Sequence, residues 1–150
     1  MNLTRRQLHA LWPLVIAEWG ASAAEGASDA VLPSRCYEFE NLPVKVNPKT
    51  HAESRQVFNG VTHEGYPVDL HITTMPPGQM PHAPHRHAHE EMMMIQQGKL
   101  EVTIAGKTST VGPGSVIYVA SNEEHGLKSV GDGAAQYFVL AIGHQSKSES

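Results

Sequence analysis

Gly78-Gln-Met-Pro-His82-Ala-Pro-His85-Arg-His87-Ala-His89-Glu-Glu91-Met-Met-Met-Ile-Gln-Gln-Gly98 is the stretch from which the rest of this 150-residue chain is best read. The chain has ten histidines, and four of them crowd into residues 82–89, where chance would place fewer than one. His85 and His87 are two apart, so on a strand both imidazoles leave the same face and can share one ion. Glu91 can return to that face across a tight bend and add an oxygen. His89 shares the parity of His85 and His87 on a straight strand and competes with them as a ligand; within a bend it belongs beside the pocket instead. Beyond the cluster, Met92-Met-Met-Ile95 begins an apolar strand of which Met93 is a candidate pocket wall, and Gln97-Gly98 closes it with a turn.

Working outward, short alternating runs recur about every ten residues: Tyr66–Thr73, Leu100–Ile104, Val116–Ala120 and Tyr137–Ile142. Gly- and Pro-containing turns separate them at Pro76–Gly78, Ala105–Lys107, Gly112–Gly114 and Gly131–Gly133. No amphipathic helical window interrupts this series, which predicts an all-β fold, a sandwich or barrel, with no internal repeat. Tyr37–Phe39 and Val44–Val46 are expected as short arm strands around the Asn41-Leu-Pro43 turn. His125, after the Val116–Ala120 strand and its following turn, can supply a fourth ligand opposite the first cluster. Its companions are weaker: His82 is expected at a pocket mouth, His71 as an inward residue of its strand, Glu90 in solvent, and Tyr118 as a pocket wall or proton donor.

Composition bounds the rest. Eleven Lys+Arg against fifteen Asp+Glu give a formal charge of −4 with no basic run, which argues against nucleic acid as a partner. The single cysteine, Cys36, excludes an intrachain disulfide or a multi-cysteine zinc cluster. Residues 1–23 run from Thr4-Arg5-Arg6-Gln7-Leu8 through an apolar segment to Ala21-Ser22-Ala23, the order of a twin-arginine export signal, and predict a leader helix that is removed on export. The apolar part is far shorter than the roughly 20 residues of a membrane span, so no permanent anchor is expected. The expected organisation is a signal at 1–23, a flexible leader and arm strands at 24–55, a barrel at 56–143 and a solvated tail at 144–150.

His85-x-His87-x3-Glu91-x6-Gly98 resembles the first motif of the cupins, and Gly114-x5-Ala120-x-Asn122-x2-His125-x3-Ser129 resembles the second. The departures are Gly78, one residue farther from His85 than usual, and Ala120, Asn122 and Ser129 in place of proline, glycine and asparagine. The resemblance runs from about Val68 to Gly143. It implies a single jelly-roll β-barrel with one divalent transition-metal ion held by His85, His87, Glu91 and His125. It also implies a homodimer, often formed by exchange of N-terminal strands. Three imidazoles and a carboxylate suit Fe, Mn, Ni or Zn. Four protein ligands leave two positions of an octahedral ion for a small oxygen-rich molecule or dioxygen. Cupin dioxygenases are the expectation, with Glu91 able to swing off the ion as a base. Metal-assisted isomerisation or elimination on a sugar or hydroxy acid, and ligand binding without turnover, are the alternatives.

Overall fold

The computed structural model describes residues 29–143. The expected export signal, most of the leader and the tail lie outside these residues. Nine strands follow in order: β1 (Val44–Val46), β2 (Glu53–Val61), β3 (Pro67–Met75), β4 (Glu90–Gln97), β5 (Lys99–Ile104), β6 (Lys107–Val111), β7 (Val116–Val119), β8 (His125–Val130) and β9 (Ala135–Ile142). They form a six-stranded sheet, β1-β2-β3-β9-β4-β7, facing a three-stranded sheet, β6-β5-β8, with every pairing antiparallel. This is the expected jelly-roll arrangement. No helix among the described residues is long and apolar enough to cross a membrane.

Alternation builds the walls. In β9, Ala135, Tyr137, Val139 and Ala141 are buried while the residues between them are half-buried, as a strand with one face inward requires. Met75, Met93, Leu100, Val119 and Tyr137 are fully enclosed between the sheets. The turn from β4 to β5 depends on glycine: Gly98 has φ +75°, and a Cβ there would lie 2.5 Å from the Ala134 carbonyl. Ala105 and Gly106, both at positive φ, turn β5 into β6.

Four local expectations are corrected. Tyr37–Phe39 is no strand; Phe39–Asn41 is a 3-10 turn, and Tyr37 packs its ring on Phe58 without any ladder hydrogen bond. β2, β6 and β8 went unanticipated because Glu-Ser-Arg-Gln-Val-Phe-Asn-Gly-Val, Lys-Thr-Ser-Thr-Val and His-Gly-Leu-Lys-Ser-Val lack a clean apolar period; each is extended because a neighbour supplies its ladder. β2 begins at Glu53, before the boundary expected at residue 56. The segment 81–89 is a series of bends in which only His85 makes a bridge, so His85 and His87 are not on a regular strand.

Val44–Val46 is a strand, as expected, and pairs with β2 of its own chain. Ala30 and Val31 reach the other end of β2, where the Val61 amide donates to the Ala30 carbonyl at 3.0 Å. Gly60 allows that approach, since a Cβ there would meet the same carbonyl at 2.5 Å. The arm thus covers the free edge of β2.

Candidate metal centre

The two sheets each bring one fixed donor. Glu91 is the second residue of β4 and points inward with Met93 and Ile95; its neighbours across the sheet are Val119 and Ala141. His125 opens β8 in the opposite sheet and is only 2% exposed. The bends at 81–89 are held over them by backbone bonds: the amides of His85 and His125 each donate to the other's carbonyl at 3.0 Å, and the Asn122 amide donates to the His87 carbonyl at 2.8 Å. Asn122 sits in the left-handed region at φ 61°, the conformation its motif's glycine would take and one that asparagine tolerates.

The rings converge. His85 lies 5.1 Å from His87 and 4.7 Å from His125 between ring centroids, and His87 lies 4.7 Å from His125. The Glu91 carboxylate faces them, with Oε2 at 3.3 Å from His125 Nε2 and 3.5 Å from His87 Nε2. The four residues that sequence proposed as ligands are therefore gathered in one place.

Their hydrogen bonding suits them to hold a cation. His87 Nδ1 donates to the His89 carbonyl at 2.8 Å and His125 Nδ1 to the Glu123 carbonyl at 2.9 Å. A carbonyl only accepts, so each Nδ1 carries the proton and each Nε2 of the neutral ring presents a lone pair. Both Nε2 atoms are buried with no hydrogen-bond partner, as is His85 Nδ1. Such orphaned acceptors beside a carboxylate are costly unless a cation fills the space. Desolvation pushes the His85 imidazole from 6.5 to about 4, with His82, His125 and His87 adding to the effect. Burial likewise lowers His87. Burial on its own would raise Glu91, but the hydrogen bond from His89 and the nearby imidazoles outweigh it and hold the carboxyl at about 2. At neutral pH His85 and His87 are therefore neutral imidazoles and Glu91 is a carboxylate, the protonation states a metal requires of them.

His89 is closer to the centre than a bend residue need be. It stacks on His87 with ring centroids 3.6 Å apart and planes 7° from parallel, and its Nε2 lies 3.5 Å from Glu91 Oε1. Donor atoms of His85, His87 and His125 form one compact trio and those of His87, His89 and Glu91 another. His82 is exposed and meets the His85 ring edge-on at 4.1 Å.

Glu91, His125 and His82 border a cavity of about 670 Å³ whose walls include Met93, Leu127, Val139 and Tyr137. Met93 is a wall of this cavity, and His71 projects into it from β3. Tyr118 does not: it is 52% exposed on the outer face of β7, opposite Met92, and its phenol is held up by a hydrogen bond with Glu90. Its parity differs from that of Val119 and Glu91, which point inward, so a strand ladder places it outside. Gln56, Asp69, Thr73 and Tyr137 are polar wall residues without a sequence expectation for the site, as are Lys45, Asn47, Glu53, Ser54 and Asn59. The signal for two of them lies in β3, where Asp69 and Thr73 share the parity of His71, the residue expected to point inward.

The Cupin domain family matches residues 71–142. No curated protein is recognisably similar in sequence. Among solved structures, the polyketide cyclase RemF from Streptomyces resistomycificus superposes with a TM-score of 0.62 at 17% identity, covering 77% of this chain and 82% of that one. A predicted oxalate decarboxylase from Thermotoga maritima gives 0.62 at 15% identity over 72% and 98% of the two chains. KdgF from Halomonas sp. gives 0.61 at 15% identity over 73% and 94%. At these identities the likeness shows the fold alone.

Proposed function

From the match of residues 71–142 to the Cupin domain family, we propose that this protein is a cupin that binds one divalent transition-metal ion through His85, His87, Glu91 and His125. We propose further that it oxidises a small oxygen-rich molecule with dioxygen. The observation that carries the reading is the pair of buried, unpartnered Nε2 atoms of His87 and His125 aimed at the Glu91 carboxylate on the border of a cavity. Fe, Mn, Ni or Zn fits the donor set; when bound, the ion would supply Lewis acidity and, for a redox-active metal, electron exchange with dioxygen.

The chain's own residues do the remaining work. The His89 and Glu123 carbonyls fix the tautomers of His87 and His125. The His89 ring holds Glu91 in place from the far oxygen. Met93, Leu127 and Val139 line the cavity with apolar surface that excludes water from a bound ligand. Glu91 is the candidate base, since its carboxylate remains ionised and borders the cavity. Tyr118 has no part in this reading.

Lewis-acid isomerisation or elimination on a hydroxy acid is the second reading, favoured by the polar wall of Asp69, His71 and Thr73. Elemental analysis of protein purified without tag or added metal, beside the His85→Ala/His125→Ala double variant, separates them. Near one equivalent of Fe, Mn or Ni, lost in the variant, supports the oxidative reading and directs oxygen-uptake screens with chelating substrates. Stoichiometric zinc moves the weight to the second reading, and absence of metal leaves a binding module.

Two further proposals concern the whole chain. Arg5-Arg6 and Ala21-Ser22-Ala23 support export by a twin-arginine route, tested by N-terminal sequencing of protein from its host: a start near Ala24 supports it and an intact Met1 refutes it. The exposed apolar side chains Met94, Val116 and Tyr118 on the outer face of β4 and β7 support a homodimer.

A further inference from the structure

The cavity holds a second group of titratable side chains apart from the histidine cluster. Asp69 and His71 both project into it from β3. His71 Nδ1 donates to Asp69 Oδ1 at 3.3 Å, and Gln56 Nε2 donates to Asp69 Oδ2 at 3.1 Å. Gln56 reaches this position because β2 is bulged between Gln56 and Phe58, and its amide is also tied to the Phe58 carbonyl at 2.8 Å. The carboxylate is therefore held at both oxygens, and the imidazole is held in one tautomer. An Nδ1–H committed to a carboxylate leaves Nε2 of the neutral ring as a hydrogen-bond acceptor. The His71 side chain is 30% exposed and lines the cavity.

The pair also stands at a defined place relative to Glu91. Along one row of the six-stranded sheet Glu91 is opposite Ala141, and Ala141 is opposite Asp69. Asp69 is thus two strands from Glu91, about 10 Å at the usual strand spacing. His71 Nε2, beside Asp69, can receive a hydroxyl proton donor.

Resting on the metal reading above, we propose that Asp69 and His71 form a ligand anchor that accepts a hydroxyl through His71 Nε2. The cavity then takes a polyhydroxylated monocarboxylic acid whose carboxylate and adjacent hydroxyl meet the metal centre and whose far hydroxyl meets His71.

The test uses the full chain loaded with Co(II), whose visible absorption reports occupancy of the histidine cluster, and two probes with the same chelating head: glycolate, which is too short to reach His71, and D-gluconate. His71→Asn is the informative variant because the asparagine amide can still donate to Asp69 while the far acceptor is gone. In the unmodified chain gluconate binds more tightly than glycolate. In His71→Asn, Co(II) uptake and glycolate affinity are unchanged and gluconate affinity falls about fivefold, the loss of one hydrogen bond. Co(II) uptake with equal gluconate affinity in the two proteins overturns the anchor and leaves the metal reading standing. A parallel fall in glycolate affinity also overturns it, because His71 then acts through the fold. Failure of the unmodified chain to take up Co(II) overturns the metal reading, and the bridging ligand with it.

Discussion

A protonated Nδ1 held by a carbonyl and an unpartnered Nε2 mark two of the candidate ligands. His87 and His125 have that arrangement, both facing Glu91 Oε2, whereas His89 faces Glu91 Oε1 and leaves its Nδ1 as the buried, unpartnered nitrogen. His125→Ala is therefore expected to lower metal affinity by more than about a hundredfold, beyond the usual cost of losing a supporting residue, with the fold retained by circular dichroism. His89→Ala should lower it by about tenfold to a hundredfold, read as metal retained after dialysis against a graded chelator. If the two variants lose metal alike, His89 is a ligand. The depressed imidazole of His85 has a consequence for the metal-free protein. Its folded value near 4 lies below the unfolded 6.5, so the unfolded chain binds the proton first as pH falls. Stability is full above about pH 6.5 and declines toward pH 4. Glu91, held near 2 against 4.5, extends that loss below about pH 4.5. Urea midpoints of chelator-treated protein should therefore fall between about pH 7 and 4.5, and fall less in His85→Gln, which lacks the titrating ring; equal slopes in the two proteins would refute the assignment.

At the scale of elements, the site is assembled by a bend segment laid across two sheets. Gly126, next to His125 on β8, lies directly beneath Pro84: a Cβ there would approach the proline ring at 2.9 Å. The ring is stiff and carries the backbone of His85 with it. Gly126→Ala is thus expected to displace the bridge between His85 and His125, weakening metal binding by about tenfold while leaving the barrel folded. Chelator competition and a thermal melt on the same sample check it, and unchanged affinity would show that the bend segment adapts. Elements with an intrinsic apolar period, such as β4 and β9, were readable from sequence. β2, β6 and β8 were not, because a strand whose two faces are both mixed receives its conformation from its ladder partners. The segment 81–89 misled for the opposite reason: the parity of His85 and His87 describes a strand, yet Pro81 and Pro84 remove ladder donors and a chain of bends brings the same rings together.

For the whole molecule, the outer face of the six-stranded sheet is more apolar than solvent exposure favours. Met94 is 40% exposed and its cross-strand neighbour Val116 is 59% exposed on the edge strand β7, with Tyr118 beside them. A homodimer burying this face predicts that Val116→Lys shifts the protein from dimer to monomer in sedimentation without loss of metal, since β7 contributes no donor to the centre; a monomeric unmodified chain would remove the proposal. Sequence alone determined the all-β class and the two donor segments, because strand period, turn residues and imidazole spacing are local properties. It also determined the grouping of His85, His87, Glu91 and His125, through a motif resemblance. Only the tertiary structure decided which faces point inward. It placed Tyr118 outside, brought His89 onto Glu91, and set Asp69 and His71 on the wall of the same cavity, two strands from Glu91. Strand pairing and register convert parity into inside or outside, and neither is written in any one segment of the chain.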